Sequence, residues 1–281
     1  MKKKQLVKDI LRHVVLVLLC AFWLIPIVWL IATSFSAYTG RNTSNFFPEE
    51  WTFRNYIALF GSDTVANFKA WFMNTFKIAI VCCIVSTLFT IMVAYAISFS
   101  RFKARKTMMN ISVILNLFPG VLSMISVYFI LKALNLTNTH IGLTLVYCAS
   151  SGLGFLIAKG FFDTVPRTLC EAAILDGASQ AQTFFKIIMP LSKPIIVYTI
   201  ISSFLTPWTD FVFAKMILNS GISDMWTVSI GLYNMLDRSL INSYFSIFCA
   251  GGVVVSIPIS ILFIIMQKFY VEGITGGAVK G

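Results

Sequence analysis

The residues best suited to chemistry lie in one short segment, residues 171–179, which reads Glu-Ala-Ala-Ile-Leu-Asp-Gly-Ala-Ser between long apolar stretches. Its two carboxylates, Glu171 and Asp176, can accept hydrogen bonds and attract basic side chains. This chemistry is recognition of another molecule. A hydrophobic protein with one structured, charged segment is expected to use that segment to dock a soluble partner.

The rest of the sequence gives little support for catalysis or metal binding. The two histidines, His13 and His140, lie far apart, and the six cysteines form no Cys-x-x-Cys pair. Five of these cysteines fall inside apolar stretches, which is typical of small core residues. The sequence contains no GxxxxGK[ST] phosphate-binding loop, so another chain would have to hydrolyse any ATP. We therefore expect no catalytic residue, no metal and no cofactor in this chain.

Signals around the charged segment predict two short helices. Pro166 suits the first turn of a helix because its missing N–H group needs no partner there. Gly177 tolerates the left-handed backbone that ends such a helix. Ser179 and Gln182 have the spacing of a capping box, which predicts the start of a second helix.

The second of these helices is expected to stop at Pro190, and Pro194 is expected to open the next apolar stretch. Four apolar side chains of the pair, Ala172, Ala173, Leu175 and Phe184, are expected to be exposed, at a cost in water unless something covers them. An alanine face with acidic ends suits insertion into a partner's groove. The alternative is an interfacial helix on lipid, although such helices favour basic residues.

The composition places the chain among membrane proteins. Of its 281 residues, 58% are hydrophobic and only 12% are charged, and the mean hydropathy is +0.84. A transmembrane helix needs about 20 apolar residues. Six stretches qualify: 14–35, 74–99, 108–131, 141–161, 194–218 and 245–269. We predict an all-α membrane protein of about six transmembrane helices, in which Pro26, Pro119, Pro207 and Pro258 kink their spans.

Basic residues predict the orientation of these spans. The net charge of +11 comes from short Lys and Arg runs beside apolar stretches, rather than from the polar surface of a nucleic-acid-binding domain. One set of loops carries fifteen basic residues and the other five. Because the cytoplasmic side carries the excess, both termini and the charged segment are predicted to be cytoplasmic.

Two outer loops follow from this topology. Residues 36–73 are rich in aromatic side chains and are expected to pack on the outer face as short helices. Residues 219–244 suit either a shaped loop that touches an external ligand or partner, or a plain connector.

Polar residues inside the spans are candidates for a translocation pathway, because polar groups at membrane depth face a bundle interior or water. Asn116, Thr209 and Asp210 are the principal candidates, and Asp210 could instead pair within the bundle. The other candidates are hydroxyl residues: Ser123, Ser126, Ser202, Ser203 and Thr206.

At this point the sequence resembles a known family. The motif Glu171-Ala-Ala-x-x-Asp-Gly-Ala, with Phe184 and Pro190 at their spacings, resembles the cytoplasmic EAA motif of ABC-importer permeases, which forms coupling helices in a cleft of the ATP-binding subunit. The closing Gly273-Ile-Thr-Gly-Gly-Ala-Val-Lys-Gly281 is similar to the tail of the smaller membrane subunit of maltose/maltodextrin importers. The resemblance covers essentially the whole chain.

The resemblance implies which residues meet the ATPase. The docking set is Glu171, Ala172, Ala173, Asp176, Gly177, Ala178, Phe184 and Pro190. An interface tail of Thr275, Gly276 and Gly277 would also reach the ATPase. It further implies a coupling loop at residues 163–193, here called the coupling segment, within a permease domain of residues 14–270. Residues 1–13 and 271–281 would be cytoplasmic ends.

The implied function is that of a non-catalytic permease subunit in a bacterial-type cytoplasmic membrane. Its partners would be the lipid bilayer, a second permease subunit, two ATP-binding subunits that hold ATP and Mg, and an extracytoplasmic sugar-binding protein. The substrate would be a carbohydrate of the maltose/maltodextrin type, with the sugar site mainly in the partner permease. A secondary transporter or channel is the alternative, but it would leave the charged segment unexplained.

Overall fold

The computed structural model describes residues 2–41, 45–61, 67–151 and 154–278. Within these residues, side chains are described except at 2–4, 121, 151 and 270–278. This part of the chain is helical, with an isolated β-bridge between Ser36 and Trp51 and no strand. The prediction of an all-α protein is confirmed.

The helices are numbered in chain order, and a π-helical turn, Phe184–Ile188, and a 3₁₀ turn, Ser223–Met225, interrupt their succession. Their bounds are α1 Lys2–Ser34, α2 Arg54–Leu59, α3 Phe68–Phe99, α4 Arg105–Leu117, α5 Gly120–Ala133, α6 His140–Ser151, α7 Phe155–Phe162, α8 Arg167–Leu175, α9 Gln180–Thr183, α10 Met189–Leu191, α11 Lys193–Thr209, α12 Val212–Ile217, α13 Val228–Asn234 and α14 Ile241–Ala278.

Four stretches are long and apolar enough to cross a membrane: Gln5–Ser34, Phe68–Phe99, His140–Phe162 and Ile241–Phe269, the third of which includes residues 152–153, outside the described residues. Two further candidate spans are bent pairs, Arg105–Leu117 with Leu122–Ala133 and Gln180–Leu191 with Lys193–Thr209. The count of about six holds if each pair crosses as one span.

The third predicted span is broken rather than kinked. Its two halves meet at 104° around Pro119. The proline ring disfavours helical backbone in the residue before it, and Phe118 is accordingly extended, with φ −72° and ψ 135°. Helix α4 therefore ends at Leu117, and a new helix begins after Pro119. By contrast, Pro26, Pro207 and Pro258 lie inside helices that continue through them.

The fifth predicted span is shorter than expected and stops at Thr209, not at residue 218. Asp210 is extended, and its carboxylate accepts hydrogen bonds from the N–H groups of Phe213 and Ala214, at 3.2 and 2.9 Å. A side chain that caps free N–H groups in this way starts a new helix. Helix α12 is therefore separate from α11.

The chain divides into two compact units, residues 1–68 with 231–257 and residues 69–230 with 258–281. In the first unit, Asn55 is 2% exposed and donates to the carbonyls of Ser34 and Ser36. These bonds satisfy groups at the end of α1 that have no partner within the helix. Of the predicted short helices in residues 36–73, the described part shows α2, while residues 68–73 belong to α3.

The second unit contains a buried apolar cluster shared by α3, α7, α8, α11 and the π turn. Ile91, Ala94, Phe162 and Ile188 are among its members. Buried apolar contact of this kind is the main source of positional stability. This cluster supports the coupling segment.

Candidate functional site

Helix α8 forms the projecting part of the coupling segment. It begins after Pro166, whose φ of −60° suits the start of a helix, and it ends at Asp176. Gly177 follows with φ +84°. A β-carbon built on Gly177 would meet nothing within 4 Å, so the backbone angle alone favours glycine there.

The second helix starts with the predicted capping box. Ser179 Oγ accepts a hydrogen bond from the N–H of Gln182 at 3.2 Å, and Gln182 Oε1 accepts one from the N–H of Ser179 at 2.8 Å. Both bonds satisfy N–H groups that a helix start leaves free. The predicted sequence of helix, glycine turn and helix is thus present.

The helix runs one residue past the expected stop at Pro190. The helical path continues through Pro190 to Leu191, and the 84° bend falls at Ser192. The π turn directly before Pro190 widens the helix. This widening gives room for the proline ring, which in a regular α-helix clashes with the carbonyl four residues earlier. Pro194 lies in the first turn of α11, as predicted.

Side chains on the inner face of α8 and the π turn hold the coupling segment in place. Cys170, Ala173 and Phe184 are each 7% exposed, and the Phe184 ring packs against Tyr95, with ring centroids 4.7 Å apart and the planes tilted by 51°. The expectation that Ala173 and Phe184 are exposed is therefore wrong, because the chain itself buries both, and Phe184 belongs to its apolar cluster. Ala173 and Phe184 can therefore affect docking only indirectly, by holding α8 in position.

A charged contact fixes the start of α8. The guanidinium of Arg167 donates to the carbonyl oxygen of Ser98 at 2.9 Å, near the carboxyl end of α3. A cation at this end of a helix also interacts favourably with the helix dipole. Sequence reasoning had counted Arg167 only as a topological charge.

The outer face of α8 is free within the described chain. Glu171, Ala172, Asp176 and Leu175 are exposed, and Leu175 is 87% exposed. A nearly uncovered leucine between two carboxylates is costly in water and suits a groove with basic rims. Burial raises the pKa of the adjacent Cys170 thiol, and Glu171 raises it further. The thiol therefore stays protonated and unreactive.

A cavity of about 230 Å³ lies elsewhere in the second unit. Nine of its thirteen lining residues carry hydroxyl groups. Helix α3 contributes Ser86 and Thr90, α6 contributes Tyr147 and Ser150, and α11 contributes Tyr198, Thr199, Ser202, Ser203 and Thr206.

Sequence reasoning found only three residues of this cavity, all on α11. Ser202, Ser203 and Thr206 were pathway candidates, but Asn116, Thr209, Ser123 and Ser126 do not line it. Asn116 and Thr209 are exposed and donate to carbonyls of their own helices. The missed residues had a signal, since Ser86 with Thr90 and Tyr147 with Ser150 have the spacing of one helix face.

Asp210 lies at a junction rather than in the cavity. The hydroxyl of Tyr147, which does line the cavity, donates to Asp210 Oδ2 at 2.6 Å. The hydroxyl of Ser229 donates to the Asp210 carbonyl oxygen, also at 2.6 Å. Together with the two N–H groups of α12, the Asp210 carboxylate therefore accepts three hydrogen bonds. Of the two roles that the sequence left open for Asp210, this arrangement corresponds to pairing within the bundle.

Part of the predicted outer loop, residues 223–228, is tightly held. The Trp71 indole donates to the Ser223 carbonyl at 2.9 Å, and the Asn74 amide donates to the carbonyls of Asp224 and Trp226, at 2.7 and 3.1 Å. Thr75 Oγ1 accepts from the N–H of Val228 at 2.8 Å. This part of the loop is thus fixed to the first turns of α3.

The interface tail falls largely outside what can be described. Thr275, Gly276 and Gly277 continue the backbone of α14, but the structure does not describe their side chains. Residues 279–281 lie beyond the described residues altogether.

Several helices of membrane-spanning length and a cavity lined by hydroxyl-bearing residues are consistent with a membrane transport protein. Comparison with known sequences gives the family. Residues 86–275 match the family described as binding-protein-dependent transport system inner membrane component, and the chain belongs to that family.

Individual relatives agree with this assignment. The galactooligosaccharides transport system permease protein GanQ of Bacillus subtilis is 30% identical over 100% of this chain and 99% of its own length. The maltodextrin transport system permease protein MalD of Streptococcus pneumoniae is 30% identical over 90% of this chain and 89% of its own length. The prediction of a non-catalytic permease subunit related to sugar importers is confirmed.

The fold also has a solved counterpart. A bacterial ABC transporter involved in the import of the acidic polysaccharide alginate includes a chain that matches with a TM-score of 0.74, covering 94% of this chain and 96% of that one. At 22% identity, this similarity concerns the fold alone.

Proposed function

We propose that this chain is the permease subunit of an ATP-driven importer for oligosaccharides, and that it relays movements of an ATPase to the translocation path. The coupling segment carries this proposal. Its exposed carboxylates and Leu175 form a contact surface, while Phe184 and Arg167 fix it to the helices behind. A force applied to α8 would reach α3 and α11 through this apolar cluster.

The proposal assigns each partner to a surface. ATP and Mg are bound by two separate ATPase subunits, whose grooves receive α8 on the cytoplasmic side. A second permease forms a heterodimer with this chain, and a sugar-binding protein docks on the opposite side, where residues 219–244 lie. The excess of basic residues in the loops beside the coupling segment supports this orientation in the cytoplasmic membrane.

The sugar class is proposed as maltodextrin type. MalD supports it by its name, while GanQ keeps galactooligosaccharides as the competing substrate class. Both are neutral oligosaccharides, which fits a cavity that has hydroxyl-bearing residues and no charged side chain among its described lining.

The proposal is tested by reconstitution of the chain in liposomes with its neighbouring permease, ATPase and binding protein. Uptake of labelled maltotriose or galactotriose should require ATP on the ATPase side. The chain reconstituted alone should move neither sugar. ATP-independent uptake by the lone chain would contradict the proposal and support the secondary transporter.

A further inference from the structure

The hydroxyl-lined cavity has hydrogen-bonding groups that the protein itself leaves open. Thr199 and Thr206 donate to carbonyls of their own helix. In the described part of the chain, no partner is found for the hydroxyls of Ser86, Tyr198 and Ser203. Ser86 is 2% exposed as a residue and lines the cavity. Tyr198 and Ser203 are half-buried, so the three hydroxyls are open to bond either water or a ligand that enters the cavity.

The chemistry of the lining residues indicates which class of ligand the cavity can bind. The described lining has no carboxylate, ammonium or guanidinium, so an ionic ligand would lose hydration without a counter-charge. The open hydroxyls both donate and accept, and they match a molecule with several hydroxyl groups. Ile157, Ala158 and the two tyrosine rings supply apolar surface for the C–H faces of such a molecule.

From this geometry we infer that the cavity is a sugar subsite in this subunit, which holds one neutral sugar ring of the transported oligosaccharide. The volume of about 230 Å³ is below that of a pocket for a drug-sized ligand, so one ring would enter and the rest of the chain would stay outside. The inference deepens the proposed function and rests on it for the source of the sugar.

The subsite can be tested by cysteine protection in the assembled transporter. Ser202 lines the cavity and is exposed, whereas Thr209 is exposed on the same helix and does not line it. Ser202→Cys and Thr209→Cys would each be made in a background without the six native cysteines. Labelling by a methanethiosulfonate reagent would be timed with and without maltotriose, galactotriose or a triuronate, in the nucleotide-free and ATP-trapped states.

The expected result is a several-fold slower labelling of Ser202→Cys with a neutral trisaccharide in at least one state. The triuronate should give no protection, and Thr209→Cys should be unaffected by any sugar. Ser150→Cys, on the facing helix α6, gives a second reading of the same cavity. The inference is overturned by unchanged labelling at both positions, by equal protection with the triuronate, or by failure of both cysteines to react.

Uptake measurements separate this inference from the proposed function. Replacing Ser86 and Ser203 together by alanine should lower the maximal uptake rate, by about five-fold for each lost hydrogen bond. Thr209→Val is the control and should change the rate by less than two-fold. If uptake depends on ATP but no cysteine is protected, the subsite inference is rejected and the proposed importer function is retained. If the cysteines are protected but uptake does not depend on ATP, the subsite inference is retained and the proposed importer function is rejected.

Discussion

At the scale of single residues, backbone angle and hydrogen bonding decide what each position tolerates. Gly177 and Gly160 both have open space around a built β-carbon, but only Gly177 has a positive φ. Since neither position is crowded, the two glycines separate the effect of backbone strain from the effect of adding a side chain.

Gly177→Val should leave the protein inserted but uncouple sugar uptake from ATP hydrolysis. A β-branched residue in left-handed backbone is strained by about 1–2 kcal/mol, so α8 would shift against its support. Uptake per ATP hydrolysed in proteoliposomes should fall at least ten-fold. Gly160→Val, in an ordinary helix, should retain coupling. Normal coupling in Gly177→Val would count against the docking role.

Tyr147→Phe should lower thermal stability without preventing assembly. The lost bond is to a carboxylate, and such bonds contribute about 1.5–3 kcal/mol. Tyr198→Phe is the matched control, since it removes a hydroxyl without a protein partner from the same cavity. The midpoint of thermal unfolding in detergent should fall clearly for Tyr147→Phe and remain near the parent for Tyr198→Phe. Equal shifts would show that the Asp210 junction is not a stabilising contact.

At the scale of elements, the coupling segment depends on how α8 is attached. The capping box and the glycine turn shape it internally, and Phe184 and Arg167 fasten it to the helices behind. Internal shape and attachment can therefore be tested separately.

Arg167→Met should loosen the attachment while the capping box stays intact. Loss of the bond to Ser98 would let α8 move away from α3 more often. Hydrogen–deuterium exchange in residues 167–175 should become faster, whereas exchange within α3 should not change. Lys186→Met, also outside the capping box and exposed, serves as control. Unchanged exchange in the Arg167 variant would show that apolar contact alone positions α8.

The sequence predicted this element well because its signals are local. Pro166, Gly177 and the Ser179–Gln182 pair act within a few residues, and each lies where it was expected. The burial of Phe184 was not predictable in this way, since it depends on the apolar cluster that α3, α7 and α11 share. The cavity was missed for the same reason, because its hydroxyls come from helices far apart in sequence.

At the scale of the whole molecule, sidedness depends on whether the pair α4–α5 crosses the membrane. If it crosses, the charged segment shares a side with the amino terminus. If the pair instead returns to its own side, the coupling segment falls on the opposite side, away from the ATPases. The 104° bend at Pro119 is compatible with either arrangement, a broken span or a re-entrant loop.

Labelling of Asn135, in the turn after α5, decides between the two arrangements. In intact cells, Asn135→Cys in the cysteine-free background should react with a membrane-impermeant maleimide. Lys103→Cys, before α4, should react only after the membrane is opened. Protection of Asn135→Cys in intact cells would place the coupling segment outside and contradict the proposed topology.

Helix α3 joins both ends of the second unit. It has 32 residues, which at 1.5 Å per residue gives a length of about 48 Å, well beyond the roughly 30 Å of a hydrocarbon core. One end receives Arg167, and the other holds residues 223–228 through Trp71, Asn74 and Thr75. A rod of this length that tilts by about 10° swings its far end by about 8 Å. Such a lever would turn a small displacement of α8 into a large one on the opposite side, without any change in its own hydrogen bonds.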